Sequence, residues 1–122
     1  MANRFTIPDI LLVDFPPRTP ALHEQQGIRP AVVVGKPSNT DTMRFELVIV
    51  VPITRQSGDW IAQNPILYPS LRAGVGNLTA DSIVLLDRVR AVDIRRVLRY
   101  LGSLTAEEYQ PIANGVKATF SF

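Results

Sequence analysis

Short apolar runs separated by polar, turn-forming segments make up most of the chain. Residues 9–15 (DILLVDF) form the first run and are bounded by prolines on both sides. Proline cannot continue a central strand, so this run predicts a strand with defined ends. Two β-branched runs follow, at residues 31–35 (AVVVG) and 45–53 (FELVIVVPI). They alternate too little for a half-exposed surface and predict buried strands in the core.

The second half of the chain contains weaker strand patterns. Residues 65–69 (PILYP) and 82–90 (SIVLLDRVR) predict two further strands, and residues 93–98 add one more. The segment between the first two is rich in turn formers, and Gly74 and Gly76 there favour a turn over a phosphate-binding loop, because no GxGxxG or GxxxxGK pattern is present.

A helical pattern lies near the C-terminal end. Thr105 followed three residues later by Glu108 is a capping box, the usual start of a helix. Apolar residues then recur at helical spacing, at Tyr109, Ile112, Ala113 and Val116. Many short strands and one late helix predict a mainly β fold, a small barrel with a helix packed on it. The length of 122 residues, without an internal repeat or linker, predicts a single domain over residues 1–122.

Composition narrows the class of protein. Hydrophobic residues make up 46% of the chain and charged residues 20%, which is ordinary globular usage. The apolar runs are shorter than the roughly 20 residues of a spanning helix, and no signal-peptide pattern begins the sequence. We therefore expect neither membrane insertion nor secretion. The absence of cysteine is compatible with a cytoplasmic location and excludes disulfides and thiolate chemistry.

Arginine dominates the basic residues. The chain has 11 arginines and two lysines, and the planar guanidinium favours forked contacts with phosphate or carboxylate groups. This bias is a first indication of a nucleic-acid partner. Arginines on a mildly basic protein also serve in Arg/Asp pairs and on solvated surfaces, so that reading stays open.

The sequence lacks several common catalytic patterns. The single histidine, His23, cannot form a two-histidine acid–base pair within one chain, and no GxSxG motif is present for a serine nucleophile. Neither HExxH nor DxDxDG spacing occurs. We predict no metal and no cofactor.

The strings EQQGIRPAVVVG and VVPIT, preceded by PDILLVDFPP, resemble the paired signature of MazF/PemK-type toxins. The similarity continues through VLLDRVRAVDIRR and LGSLTAEE, so it extends over nearly the whole chain. The resemblance implies a small SH3-like barrel of the CcdB/MazF/PemK-like class with a C-terminal α-helix, which agrees with the elements predicted above.

The resemblance also implies catalytic residues. The arginine of the RP motif and the threonine that ends the PIT strand are Arg29 and Thr54, and a guanidinium with a hydroxyl can stabilise charge that develops on phosphate oxygens. Arginine stays protonated, so another group must remove the proton from a ribose 2'-hydroxyl, and Glu24 is the candidate. The ordinary alternatives are a surface ion pair for Arg29, a strand end for Thr54 and a loop carboxylate for Glu24.

Base recognition is expected in the loops at residues 16–28 and 55–64. Trp60 is predicted to stack on an unpaired base, and Gln25 and Gln56 to hydrogen-bond base edges. Trp60 also fits a partly buried position in the core or a contact with an antitoxin.

Residues 87–99 contain five arginines, of which Arg88 and Arg90 are predicted to contact RNA phosphates. Arg/Asp pairing and a solvated rim, with a share in a dimer contact, explain this segment equally well. The sequence departs from the family here: many members have glutamine at the position of Arg88, and some have arginine at that of Leu85.

The resemblance implies a sequence-specific, metal-independent endoribonuclease toxin of a toxin–antitoxin module. Such a toxin cleaves single-stranded RNA by 2'-hydroxyl attack, leaves a 2',3'-cyclic phosphate and a 5'-hydroxyl, and so inhibits translation. It implies a cytoplasmic homodimer that is held in check by a MazE-like antitoxin. Two alternatives remain, because fold alone does not determine function. They are a CcdB-like toxin that binds DNA gyrase and a catalytically inactive binding protein of the same fold.

Overall fold

The computed structural model describes residues 5–16, 27–35 and 46–121. These ranges contain seven strands and two α-helices: β1 (Asp9–Phe15), β2 (Gly27–Gly35), β3 (Leu47–Thr54), α1 (Asp59–Gln63), β4 (Ser70–Leu71), β5 (Ser82–Val84), β6 (Arg90–Asp93), β7 (Val97–Ser103) and α2 (Ala106–Thr119). No helix within them is long and apolar enough to cross a membrane.

All strand pairs are antiparallel, in the order β4-β5-β3-β2-β1-β7. β3 shares one of its edges between two partners: β6 pairs with residues 47–50, and β5 with residues 53–54. The sheet curls into a half-barrel with the helix α2 at its C-terminal end. This confirms the predicted mainly β class, the small SH3-like barrel with a C-terminal helix. The single domain over residues 1–122 stays a prediction.

Both faces of the central strands are buried, which explains why their sequences show little polar alternation. One core is formed by Ile10, Val32, Val51, Ile53, Leu71, Leu78, Val84, Leu86, Leu104 and Ile112. The other, on the opposite face, is formed by Leu11, Val13, Phe15, Ala31, Val33, Val48, Val50 and Val92. The strands predicted at residues 9–15, 31–35 and 45–53 are all present, and β2 begins four residues earlier than expected.

The helix α2 begins at the predicted capping box. The hydroxyl of Thr105 accepts a hydrogen bond from the main-chain amide of Glu108 at 3.1 Å, and the Glu108 carboxylate accepts one from the amide of Thr105 at 2.8 Å. The buried Ile112 packs into the first core, with Tyr109 and Val116 beside it. The predicted helix is therefore confirmed, cap included.

The strand predicted at residues 65–69 is wrong. This segment is a turn, in which the main-chain amides of Leu67 and Tyr68 both donate to the carbonyl of Asn64, at 3.1 and 3.2 Å. The Asn64 side chain also accepts from the amide of Leu67. Proline at both ends of the segment limits ladder hydrogen bonds, and the strand β4 starts only at Ser70.

The predicted strand 82–90 is interrupted. A 3-10 turn at Leu86–Arg88 separates β5 from β6, because these two strands pair with different parts of β3 and the chain must turn between them. The strand predicted at residues 93–98 is also shifted. A second 3-10 turn occupies Ile94–Arg96, where the Asp93 carboxylate accepts from the amide of Arg95, and β7 starts at Val97.

Candidate active site

Strand pairing brings Arg29 and Thr54 together. In the β2–β3 ladder Ala31 lies opposite Pro52, and both strands continue for two residues beyond that pair. Arg29 and Thr54 each lie two residues beyond that last paired position, on one face of the sheet, and both line the same pocket. The two residues predicted to act together are therefore neighbours.

Thr54 presents a fixed hydroxyl at the end of β3. The residue is only 4% exposed, and its Oγ1 accepts a hydrogen bond from the main-chain amide of Gln56 at 3.1 Å. A hydroxyl that accepts one bond still has a hydrogen to donate. Arg29 is half-buried and lies opposite Val13 of β1 on its other side. Arg29 is thus paired with β1, and Thr54 is paired with Ile83 of β5.

A pocket of about 280 Å³ opens beside this pair. Its lining residues are Leu12, Ile28, Arg29, Pro30, Ile53, Thr54, Arg55, Asn77, Leu78, Thr79, Ala80, Ser82, Arg99 and Leu101. Alternation along the strands puts Leu12, Pro30 and Ile53 on the face opposite to Arg29 and Thr54, so the three form an apolar floor and the pair lies at the pocket's edge.

The charged residues among the described lining of the pocket are all positive. Three arginines line it, Arg29, Arg55 and Arg99, and the described lining residues include no aspartate or glutamate. A partly enclosed site lined by positive charges attracts anions. A guanidinium group can bind two phosphate oxygens with two parallel hydrogen bonds. The pocket is therefore suited to a phosphate-bearing ligand.

Arg90 lies on the same face of the sheet as the Arg29–Thr54 pair, although it does not line the pocket. It is opposite Val50 in the β3–β6 ladder, and Val50 shares its face of β3 with Thr54. The guanidinium carbon of Arg90 is 5.4 Å from the ring centroid of the buried Phe15, a cation–π distance. The aromatic ring helps to hold this cation in place.

Trp60 and Arg88 lie apart from the pocket lining. Trp60, on α1, packs edge to face on Tyr68, with ring centroids 4.8 Å apart and an angle of 84° between the planes. The Tyr68 hydroxyl donates to the carboxylate of Asp87 at 2.7 Å, and this hydrogen bond, with some burial, raises the pKa of Tyr68. Arg88 follows Asp87 in the 3-10 turn. Trp60 is half-buried, and its stacking on a base, like its alternative interpretation, stays a prediction.

Of the remaining predicted site residues, the structure describes only Gln56. Gln56 is exposed and follows the pocket residue Arg55, but does not itself line the pocket. Glu24 and Gln25 lie outside the described residues, as does His23. Within the parts of the chain that the structure describes, no group of three His, Cys, Asp or Glu side chains could hold a metal ion.

The arginine-rich segment divides into residues with different environments. Arg95 bonds Asp93 through its side chain at 3.0 and 2.9 Å, and these hydrogen bonds lower the pKa of Asp93 to about 2. Arg96 is 4.0 Å from the Asp14 carboxylate. Arg/Asp pairing therefore accounts for these two arginines, whereas Arg99 faces the pocket.

The sequence did not reveal the pocket wall formed by residues 73–81. The amide of Gly74 donates to the carbonyl of Leu78 at 2.7 Å, and the Asn77 side chain donates to the carbonyl of Leu101 on β7 at 2.7 Å. Gly74 and Gly76 have positive φ, as expected of turn glycines. The glycines predicted a turn, but nothing in the local pattern placed that turn against β7.

Comparisons with known proteins agree with this geometry. A curled half-barrel with a C-terminal helix is the fold of MazF-like toxins, and residues 8–120 match the family described as PemK-like, MazF-like toxin of type II toxin-antitoxin system. The chain belongs to this family, which confirms the resemblance seen in the sequence. A search among curated proteins finds no match.

Solved structures show the same fold. MazF (Form-I) from Deinococcus radiodurans superposes with a TM-score of 0.70 at 22% identity, over 94% of each chain. The Mycobacterium tuberculosis toxin MazF-mt6 gives 0.66 at 18% identity, over 93% of this chain and 97% of that one. MazE-MazF (Form-II) from D. radiodurans gives 0.66 at 22% identity, over 94% of each chain. Similarity at this identity shows the fold alone.

Proposed function

We propose that this toxin is a sequence-specific, metal-independent endoribonuclease that cleaves single-stranded RNA, including mRNA, and thereby inhibits translation. The observation that carries the proposal is the Arg29–Thr54 pair at the edge of a cationic pocket. Membership of a toxin family in which endoribonuclease activity is typical supports it.

The pair fits the charge changes of RNA cleavage by internal transesterification. The ribose 2'-oxygen attacks the adjacent phosphorus, the P–O5' bond breaks, and the products are a 2',3'-cyclic phosphate and a 5'-hydroxyl. Negative charge grows on the non-bridging oxygens as the phosphorus becomes five-coordinate. The Arg29 guanidinium and the Thr54 hydroxyl donate to those oxygens, and one such donor contributes roughly 10²–10³ in rate.

The proton of the 2'-hydroxyl needs a separate acceptor, because Arg29 stays protonated at neutral pH. We assign this role to Glu24, because a carboxylate can act as a general base. The departing 5'-oxygen takes up a proton from water, and Glu24 returns the 2'-hydroxyl proton to water, so that the step causes no net change in protons.

Substrate binding extends beyond the pair. Arg90, held over Phe15, and Arg88 supply cations for the RNA backbone, and their contribution falls as salt rises. In the proposed complex Gln25 and Gln56 hydrogen-bond base edges and Trp60 stacks on a base.

The proposed partners rest on the family and on the charge of the pocket. We propose that the toxin acts in the cytoplasm as a homodimer and is inhibited by a MazE-like antitoxin. The MazE-MazF structure from D. radiodurans shows a similar fold in complex with such a protein. An acidic antitoxin segment that covers the arginine-lined pocket would compete with RNA for the same cations.

The test is cleavage of a long single-stranded RNA in excess EDTA by the purified toxin, with the ends of every product mapped. Arg29→Ala should lower the cleavage rate by roughly 10²–10³. Lys117→Ala removes the same charge from the exposed last turn of α2 and serves as the matched control. Circular dichroism of each variant confirms the fold.

Discrete metal-free cuts with cyclic phosphate ends, lost only in Arg29→Ala, are the expected result. Intact RNA together with inhibition of gyrase supercoiling would replace the proposal with the CcdB-like alternative. Intact RNA without gyrase inhibition would leave the binding protein of the same fold.

A further inference from the structure

An aromatic pair lies outside the pocket, on the segment between β3 and β4. The helix α1 carries Trp60 and the turn after it carries Tyr68, and their ring centroids are 4.8 Å apart with the planes nearly perpendicular. Edge-to-face pairs attract, because the positive edge of one ring meets the negative face of the other. Both residues are half-buried, so part of the indole surface meets solvent. The fold thus holds an ordered tryptophan ring at its surface.

The backbone of Tyr68 is held by hydrogen bonds on both sides. The carbonyl of Leu67 accepts from the amide of Leu86 at 3.1 Å, and the carbonyl of Pro69 accepts from the amide of Val84 at 2.8 Å. Val84 belongs to β5, which pairs with the last residues of β3. The position of Tyr68 is therefore fixed relative to the end of β3.

The side chain of Tyr68 is held at its far end by Asp87. The Tyr68 hydroxyl donates to Oδ2 of Asp87 at 2.7 Å. A hydrogen bond to an ionised group is roughly twice as strong as one between neutral groups. Asp87 lies in the 3-10 turn Leu86–Arg88 that follows β5, so it belongs to the same framework. A ring that is fixed at its backbone and at its hydroxyl presents a constant surface to Trp60.

The indole of Trp60 is also in contact with the backbone before α1. A Cβ on Gly58 would clash with the indole nitrogen of Trp60, so the ring lies directly against Gly58. Contacts with Gly58 and with Tyr68 restrict the rotation of the indole. A side chain that is ordered before binding loses little entropy on binding. Flat aromatic rings are the groups on which proteins stack unpaired bases.

Trp60 is close enough to the Arg29–Thr54 pair to meet the same RNA. It follows Thr54 by six residues, so the Cα atoms of the two residues are at most roughly 20 Å apart. A single strand whose phosphate lies at the pair can therefore bring a base that is a few nucleotides away to the indole.

We propose that Tyr68 and Asp87 are positioning residues that hold Trp60 as a preformed platform for one unpaired base of the RNA substrate, outside the pocket. The base stacks on the exposed part of the indole, and Arg88 meets its phosphate. Stacking tolerates every base, so the platform adds affinity rather than base choice. The inference rests on the proposed ribonuclease function and deepens it by naming the residues that orient Trp60.

The first test uses the fluorescence of Trp60, which is the only tryptophan of the chain. The titrant is a single-stranded RNA with a 2'-O-methyl group on every ribose, which cannot be cleaved by 2'-hydroxyl attack. Inorganic polyphosphate supplies negative charge without bases. The RNA should quench the fluorescence, and polyphosphate should leave it nearly unchanged. Trp60→Leu should weaken RNA binding, measured by the anisotropy of labelled RNA, about tenfold.

The second test removes the hydrogen bond from Tyr68 to Asp87. Tyr68→Phe keeps the ring, and it should weaken RNA binding about threefold. KM should rise with kcat nearly unchanged, as for loss of ground-state binding. Asp87→Ala should also weaken RNA binding, although loss of a negative charge by itself would strengthen it. Tyr68→Phe should have no further effect in the Asp87→Ala background, because both changes remove the same bond.

Tyr100→Phe is the matched control. It removes a tyrosine hydroxyl from β7, where it is bonded to Ser103, and it should leave RNA binding unchanged. Polyphosphate binding should not weaken in any of these variants. A general loss of structure would weaken the binding of both ligands, so this comparison separates positioning of Trp60 from a merely structural role.

Failure of this inference is distinguishable from failure of the ribonuclease function. If RNA binds and leaves the fluorescence of Trp60 unchanged, the platform is refuted and an antitoxin contact replaces it. Equal RNA binding by Tyr68→Phe and Tyr100→Phe refutes the positioning role. Neither result affects the ribonuclease function, which is measured by cleavage of unmodified RNA. If that RNA is not cleaved, the function fails, and quenching by the uncleavable RNA decides on the platform alone.

Discussion

The main-chain amide of Gln56 donates a hydrogen bond to Oγ1 of Thr54 across 3.1 Å. This bond occupies one lone pair of a hydroxyl that is 4% exposed, and it fixes the side chain at the point where β3 ends. The hydroxyl hydrogen is then free to point toward a ligand at the pocket's edge. This hydrogen bond thus orients the Thr54 hydroxyl for the role proposed for it in cleavage.

Replacement of Thr54 should lower the rate of RNA cleavage far more than it lowers the stability of the fold. Thr54→Val keeps the β-branched shape and removes the hydroxyl, so we expect cleavage to fall by roughly 10²–10³. The free energy of unfolding, measured in urea, should fall by only about 1 kcal/mol, because one hydrogen bond is lost.

Thr54→Ser is the matched control, since it restores the hydroxyl and the bond from Gln56. It should recover most of the cleavage rate. Full activity of Thr54→Val would contradict the role of the hydroxyl.

The resemblance to MazF/PemK-type toxins predicted the pair at the site, and both of its members lie on strands with strong local patterns. The runs that became β2 and β3 are β-branched and buried on both faces, so their positions in the fold were clear from local preference. Their antiparallel pairing ends at Ala31 and Pro52, and Arg29 and Thr54 each lie two residues beyond that pair. Local pattern thus predicted the two strands, whereas the choice of Arg29 and Thr54 came from the resemblance.

Arg99 and residues 73–81 could not be found in the same way. The β1–β7 ladder shifts register twice, between Ile10 and Leu11 and between Leu12 and Val13, so alternation did not predict which residue of β7 faces the pocket. The wall depends on a long-range contact of Asn77 with Leu101. Such contacts arise from tertiary packing, which no short window of sequence contains.

The docking of α2 should be sensitive to a single methyl group at Gly115. A Cβ there would clash with the Leu86 side chain and lie 2.6 Å from the carbonyl oxygen of Ile66. Overpacking of this kind costs about 1–3 kcal/mol, and the better helix propensity of alanine offsets up to about 1 kcal/mol of it. We expect Gly115→Ala to lower the free energy of unfolding measured in urea.

Ala118→Gly, at an exposed position of the same helix, reports propensity alone and should cost up to about 1 kcal/mol. If Gly115→Ala stabilised the protein while Ala118→Gly destabilised it, propensity would dominate and the close packing of α2 on Leu86 would be wrong.

The ionisation of Tyr68 should depend on Asp87. The hydrogen bond to the Asp87 carboxylate is the main cause of the raised pKa of Tyr68, so Asp87→Asn should lower that pKa toward the ordinary value of 10.0. The raised pKa stabilises the fold below the unfolded-state value, and this contribution is lost as pH rises through the folded-state pKa.

Ultraviolet difference titration measures tyrosine ionisation directly, and Tyr68→Phe identifies which transition belongs to this residue. An unchanged Tyr68 transition in Asp87→Asn would show that burial, rather than the hydrogen bond, controls the ionisation.

The Asp93–Arg95 pair makes a prediction at acid pH. The hydrogen bonds from Arg95 lower the pKa of Asp93 to about 2, from an ordinary 3.8. A depressed carboxyl pKa stabilises the fold above the unfolded-state value, and the contribution is lost as pH falls from about 4 toward 2. Arg95→Gln should raise the Asp93 midpoint toward 3.8, as measured by carbon NMR of the carboxyl group.

Arg96→Gln is the comparison that decides between hydrogen bonding and charge. Arg96 acts on Asp93 through the weakest of the effects that lower its pKa, so its removal should move the midpoint far less than removal of Arg95. Equal shifts in the two variants would mean that net charge, rather than the forked contact, depresses the pKa. The Arg95 side chain would then be available to other anions, and its exclusion from the RNA-binding arginines would lose its basis.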